Sequence, residues 1–283
     1  RHRDALLGPF ADPEQGVELT FVRGHVFSAR IRPSTIPPDD RIATLLSLPS
    51  ARFVWSLAIE AESHEAYRAL ARSRHPSIRR LEMGRRPDVE LKASPGPLAR
   101  ALPRLRELVL SGPVRNFETK DLLHLSRLEL RAAEPWPETL PRLMSAEWPA
   151  LEALVVWLGA KARAAELAPL FEGAIVPRLR ELGLCDTTIT NHVCRALARS
   201  PLLARLRAID LSLGTMTDGG AAAIGAAAAA FAQVEALDPT SNLLTPIGEE
   251  YLRMAVPRAR TEGQRPGYGQ GLRAPGFAAS DRA

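Results

Sequence analysis

Between Pro177 and Asn242 one construction occurs three times, and that repetition limits the fold more than any other feature. Leu179, Leu182 and Leu184 return as Leu206, Ile209 and Leu211, then more weakly as Val234 and Leu237. A matching turn follows each: Thr188-Ile189-Thr190-Asn191, Thr215-Met216-Thr217-Asp218 and Leu243-Leu244-Thr245-Pro246. The threonines Thr190, Thr217 and Thr245 stand 27 and then 28 residues apart. A fixed period of this size is the mark of a solenoid, in which each unit buries its apolar face only against its neighbours.

The last two apolar residues of each triplet lie two apart, the spacing of one face of a strand, so the residues between them point the other way. Thr190, Thr217 and Thr245 are placed to cap helix N-termini through their hydroxyls. Pro246 suits a first helical position, where no N–H is needed. Extended backwards, the first motif residues fall at Val26, Val54, Ile78, Leu105, Leu125, Leu151, Leu179, Leu206 and Val234. Their separations are 28, 24, 27, 20, 26, 28, 27 and 28 residues. Nine strands are expected. Helices are expected over 39–48, 63–72, 137–146, 163–171, 191–199, 218–232 and 246–254, with a short one near 98–102. The 20-residue interval is too short for a full helix, so 111–120 reads as an extended crossing.

This pattern resembles the leucine-rich repeat family in its ribonuclease-inhibitor-like form, over roughly Val26 to Met254. The resemblance implies an α/β solenoid, a curved horseshoe with a parallel sheet on its concave face and helices and extended loops on its convex face. A narrower likeness is to bacterial leucine-rich repeat proteins with an N-terminal repeat-companion domain. It is carried by Leu6-Leu7-Gly8-Pro9, Phe21-Val22-Arg23-Gly24, Trp148-Pro-Ala-Leu-Glu-Ala-Leu and Asp210-Leu-Ser-Leu-Gly-Thr-Met-Thr-Asp. It implies a small helical domain before Arg1, an interaction module and no catalytic residues. The chain departs from the pattern at Pro239, an expected apolar strand position, which tells against full pairing of the last strand. Only Asn242 keeps the turn asparagine common in the wider family.

The organisation read from this is a cap over 1–32, a solenoid over 26–256 and a tail over 257–283. In the cap, Val17-Glu-Leu-Thr-Phe21 alternates apolar and polar, and Arg23-Gly24-His25 turns the chain into Val26–Ile31, a hairpin whose second strand begins the array. Such a cap keeps a sheet edge and apolar surface out of water. The tail is rich in proline, glycine and arginine, with Tyr268, Leu272 and Phe277 as its large apolar residues, and reads as a flexible segment.

Charge is less informative than the net +5 suggests. Only Lys92, Lys120 and Lys161 are lysines, and the tail's five arginines against Glu262 and Asp281 supply +3 of the total. The body is close to neutral, which disfavours nucleic acid as partner, since phosphate binding needs basic residues gathered on one face. No run approaches the ~18 apolar residues of a membrane span, so no membrane partner is expected, and the chain reads as a cytoplasmic monomer. Two cysteines are too few for a disulfide framework.

Function is expected on the outward strand positions. The first half is mixed and rich in arginine. The second half places Arg127, Glu129 and Arg131 on one strand, Ala153, Val155 and Trp157 on the next, then Glu181, Gly183 and Cys185. Glu181, Asp210 and Asp238 form an acidic row, beside an apolar patch of Val155, Trp157 and Cys185. Exposed aromatics flanked by charge anchor protein interfaces. On this reading Trp157 anchors an unidentified protein or peptide partner, Asp210 and Asp238 select a basic segment of it, and Arg127 and Arg131 border the site. The alternative for Trp157 is a packing role beneath the 159–166 loop. A second functional class is arginine-mediated binding of nucleic acid or an acidic partner, and a third is an unrecognised enzyme. Cys185, Asp186, His192 and Cys194 invite a metal or Cys–His reading, but no Cys-x-x-Cys is present, and strand and helix separate the two thiols. No catalytic residue, metal or cofactor is assigned.

Overall fold

The computed structural model describes residues 7–92 and 95–265 and forms two compact units, one ending at Leu125 and one beginning at Ser126. The division falls at the end of the shortest spacing of the repeat series, Leu105 to Leu125. Between the strand ending at Ser111 and the strand beginning at Arg127 there is no helix.

The first unit carries β1 (Val17–Val22), β2 (His25–Ile31), β3 (Ser56–Ile59), β4 (Arg80–Met83) and β5 (Glu107–Ser111), in that order in the sheet. Its helices are α1 (Pro38–Ser47), α2 (His64–Ser73) and α3 (Pro95–Ala101). The second unit carries β6 (Arg127–Arg131), β7 (Ala153–Gly159), β8 (Glu181–Thr187), β9 (Ala208–Asp210) and β10 (Ala236–Asp238), again in chain order. Its helices are α4 (Thr139–Ser145), α5 (Ala168–Glu172), α6 (Thr190–Leu197), α7 (Asp218–Ala226) and α8 (Pro246–Ala255). This is a repeating α/β fold whose pairs are parallel except for β1 with β2.

The register reproduces the sequence period. Ala29 faces Leu57, Leu57 faces Leu81 and Leu81 faces Leu108. In the second unit Leu128 faces Leu154, then Leu182, Ile209 and Leu237 follow rung by rung. All of these are buried. Burying one leucine is worth roughly 1.5–3 kcal/mol, so each rung contributes more than the surface ion pairs described below, at about 0–1 kcal/mol each. The apolar rungs set the register. Pro239 ends β10 at three residues, and the pairing it spares, Ala236–Asp238 with Ala208–Asp210, is intact.

The hairpin closes through Arg23 and Gly24, both at positive φ (50° and 81°), the conformation a two-residue turn needs to match strand twist. The helix beginning at Asp218 stops sooner than its alanine content suggested. It ends at Ala226, and a separate 3-10 turn covers Ala228–Phe231. Only Thr245 caps its helix as expected, accepting from Ile247 N–H at 3.2 Å. Thr190 is instead the first residue of α6 and turns inward, its hydroxyl donating to Thr187 C=O at 3.0 Å and accepting from Thr215 N–H. Thr217 makes no side-chain cap, because Asn191 of the preceding repeat holds its hydroxyl at 2.9 Å and accepts from its N–H at 3.0 Å. One repeat later Asp218 accepts from both the N–H and the hydroxyl of Thr245. The starts of α6, α7 and α8 are thus tied in series.

Residues 257–265 differ from the flexible segment read into the sequence. Arg260 N–H donates to Leu237 C=O at 2.9 Å, Ser241 N–H to Gly263 C=O at 3.1 Å and Arg265 N–H to Asn242 C=O at 2.7 Å. The backbone of the last strand and turn needed these partners. Residues 266–283, the rest of that tail, and 1–6 of the cap lie outside the described residues.

A buried histidine, His75, and a half-buried one, His124, give the first unit a pH dependence. Burial pulls the His75 imidazole below its ordinary pKa, and Ser77 lies 3.0 Å from its Nδ1. Burial does the same to His124, helped by the nearby positive charge of Arg106. The unfolded chain therefore binds protons that the fold refuses. Stability is complete above the unfolded pKa of about 6.5 and falls as the pH drops through that value. Melting followed by circular dichroism should show a lower Tm at about pH 5.5 than at about pH 7.5. The difference should shrink in a His75→Gln/His124→Gln double variant, and an equal loss in that variant would rule out the assignment.

Candidate functional site

The outward strand positions are mostly occupied by one another. In the first unit Arg30 meets Glu60 at 2.6 Å, and Arg80 meets Glu107 at 2.7 Å and Glu82 at 3.8 Å. In the second unit Glu129 lies between Arg127 and Arg131 on the same strand, at 4.0 and 2.6 Å, and is 9% exposed. Arg127 also reaches across two strands to Glu181 at 2.7 Å. The alternation in Arg127-Leu-Glu129-Leu-Arg131 places all three charges on one face, a signal that could have named Glu129 as the centre of this cluster.

Of the residues the sequence singled out, Arg127, Arg131 and Glu181 therefore spend their charge on intramolecular pairs. Asp238 is also engaged: one oxygen accepts from Thr240 N–H at 3.0 Å and the other lies 3.3 Å from Arg260 Nη1. Nothing in the alternation foretold Arg260, which returns to this strand from beyond α8. Asp210 accepts from Ser212 N–H at 2.9 Å through one oxygen and is half-buried.

Cys185 has to be corrected. It holds an outward register position beside Trp157, yet it is 1% exposed, with Sγ 3.7 Å from Asp210 C=O. The chain leaving β9 passes over it, and strand parity alone cannot show that. Burial pushes its thiol pKa well up, with the negative charge of Asp210 acting in the same direction. Cys194 in α6 is buried too, and burial pushes its thiol up to about 12. Burial works against thiolate formation at both sulfurs. Among the described residues no group of three or more His, Cys, Asp or Glu is placed to hold a metal ion.

What remains accessible is Val155 and Trp157, both half-buried, with Asp210. Val155 and Trp157 are two apart on β7, and Val155 lies in register with Gly183, where a Cβ would come within 2.8 Å of Val155 Cγ1. The Val155 side chain packs over the bare backbone of Gly183 and fills the space a side chain there would take.

No protein-family model matches the chain, and no curated protein does. Among solved structures it is similar to a crystal structure of a protein from Bacteroides fragilis, determined by the Northeast Structural Genomics Consortium. The TM-score is 0.70 at 18% identity, over 82% of this chain and 74% of that one. That likeness shows the fold alone. No helix among the described residues is long and apolar enough to cross a membrane.

Proposed function

We propose that the chain is a leucine-rich repeat protein of the ribonuclease-inhibitor-like kind. On this reading it is a non-catalytic module that binds a protein segment on the strand face of its second unit. The supporting observation is the contrast on that face. The arginines and glutamates neutralise each other, while Val155 and Trp157 stay accessible beside the half-buried carboxylate of Asp210. An aromatic anchor within a ring of satisfied polar groups is the arrangement of an interface hot spot. The Asp238–Arg260 pair is the internal counterpart of what is proposed at Asp210, an aspartate on this face meeting an arginine.

Selecting a displayed random-peptide library on the intact protein tests this. Peptides carrying a basic residue near an apolar one are expected to be enriched. Trp157→Ala should weaken them by about 2 kcal/mol or more, and Asp210→Asn by roughly 1 kcal/mol, more so at low salt. Enriched peptides that bind both variants as tightly as the parent would place recognition elsewhere. The paired arginines also speak against the nucleic-acid alternative on this face, since phosphate binding requires uncommitted basic groups.

A further inference from the structure

A second surface lies in the first unit, at the end of the sheet where its strands begin. Its origin is a bulge in the cap hairpin. Thr20 pairs with Ser28 but Phe21 pairs with Val26, so Phe27 has no counterpart on β1. A bulged residue re-aims its side chain. Here Val26 goes inward, fully buried, and Phe27 is left 42% exposed. Phe27 stacks on Trp55, the residue preceding β3, with ring centroids 5.7 Å apart and planes 6° from parallel. Next to them His25 sets its edge against Phe53 at 4.7 Å, and Arg52 covers a face of Phe53 at 4.5 Å. Val22 and Phe53 are 49% and 48% exposed. The other large apolar residues this exposed among those described lie on the outer face of α8, where nothing shows what covers them.

The loops that lead into these strands carry charge of one sign. Backbone hydrogen bonds step from Phe27 to Trp55 to Arg79 to Arg106, one rung at a time, at 2.8, 2.8 and 2.7 Å. Arg52, Arg79, Arg104 and Arg106 belong to the three loops 49–55, 76–79 and 103–106, and no aspartate or glutamate occurs in any of them. On the strand face of this unit Arg30 and Arg80 are matched by glutamates. At the strand-entry end the loops supply no carboxylate.

We propose that this strand-entry surface docks an acidic segment of a partner protein bearing an apolar anchor residue. The anchor sits against Val22, Phe27 and Phe53, and carboxylates beyond it meet Arg52, Arg79 and Arg104. Geometry fixes the spacing. Rungs are about 4.8 Å apart and an extended chain advances about 3.3 Å per residue, so a carboxylate one or two residues past the anchor spans the rung from Trp55 to Arg79. A protein segment suits the site better than single-stranded nucleic acid, which needs open ring faces for its bases. Phe27 and Trp55 each give one face to the other, and Arg52 covers Phe53. This surface is independent of Trp157 and the reading of the second unit.

The test is binding of a random copolymer of glutamate and tyrosine to the full chain at about 0.1 M salt, where exposed charges more than about 10 Å apart are screened. Polyglutamate and oligothymidylate serve as competitors. Saturable binding is expected, with polyglutamate weaker because it lacks the anchor. Phe53→Ser and Arg52→Glu alter exposed positions, and each should weaken the copolymer about tenfold or more, while Trp157→Ala leaves it unchanged. Absence of saturable binding, polyglutamate binding as well as the copolymer, or both surface variants retaining affinity would each overturn the proposal. Oligothymidylate outcompeting the copolymer would overturn it in favour of a nucleic-acid site.

Discussion

Replacing Asn242 by alanine is expected to cost about 3–5 kcal/mol, among the largest effects available to a polar substitution in this chain. Asn242 is fully buried. Its Nδ2 donates to Leu211 C=O at 2.8 Å and Pro239 C=O at 2.9 Å, and its Oδ1 accepts from Met216 N–H at 2.7 Å. Those groups belong to two consecutive repeats, so one amide holds the last turn to the one before it. Removing it strands buried backbone groups at roughly 1–3 kcal/mol each, whereas the cavity left by a small polar side chain adds little. Asn242→Asp keeps the acceptor but loses the donor and buries a charge, so it should be no milder. Urea unfolding with an unchanged slope measures the loss. A loss below about 1 kcal/mol would mean that water replaces the amide. Gly214 offers an independent check. It holds the repeat position of Asn242, and a Cβ there would come within 2.2 Å of Thr190 Oγ1 and 2.8 Å of Asn242 Oδ1. Gly214→Ala should therefore destabilise through the same network.

Register was legible in the sequence because apolar burial decides it, and the leucine triplets report that burial directly. Intervals of 28, 24 and 27 residues between Val26, Val54, Ile78 and Leu105 reappear as the pairings of Ala29, Leu57, Leu81 and Leu108. The accessible chemistry was less legible, since it depends on contacts between residues far apart in the chain. Parity put Cys185 on the outer face, but whether the face is open there depends on the path of Asp210 and Ser212. It also put Asp238 there, without Arg260, which lies 22 residues away. The triplet placed Val26 inward, but the bulge that leaves Phe27 without a counterpart on β1 has no mark in the alternation. Two of the three expected threonine caps failed for a local reason. A hydroxyl that can cap its own helix can equally bond the neighbouring repeat, and Asn191 is long enough to take it.

Arg41→Ala is expected to release the cap hairpin at a cost of about 2–4 kcal/mol, an effect that composition gives no reason to anticipate. Arg41 is 3% exposed, and among the described residues its hydrogen-bond partners are backbone carbonyls rather than carboxylates. Its Nη1 donates to Arg32 C=O at 2.7 Å and Gln15 C=O at 2.9 Å, and its Nε points at Pro37 C=O at a marginal 3.5 Å. One side chain from α1 thereby fastens both ends of the hairpin, the entry to β1 and the exit from β2. Burial lowers its pKa from the ordinary arginine value, but that value lies so far above neutrality that the group remains charged and its donors are kept. Arg41→Lys should rescue only part of the loss, because an ammonium cannot present the planar fork to carbonyls on two segments. The decisive readout is local. Amide hydrogen exchange should accelerate through Val17–Ile31 while β8 stays protected, since the hairpin can open without unfolding the second unit. Uniform acceleration across both units would instead show that the cap and the array unfold as one, and that Arg41 stabilises the whole chain.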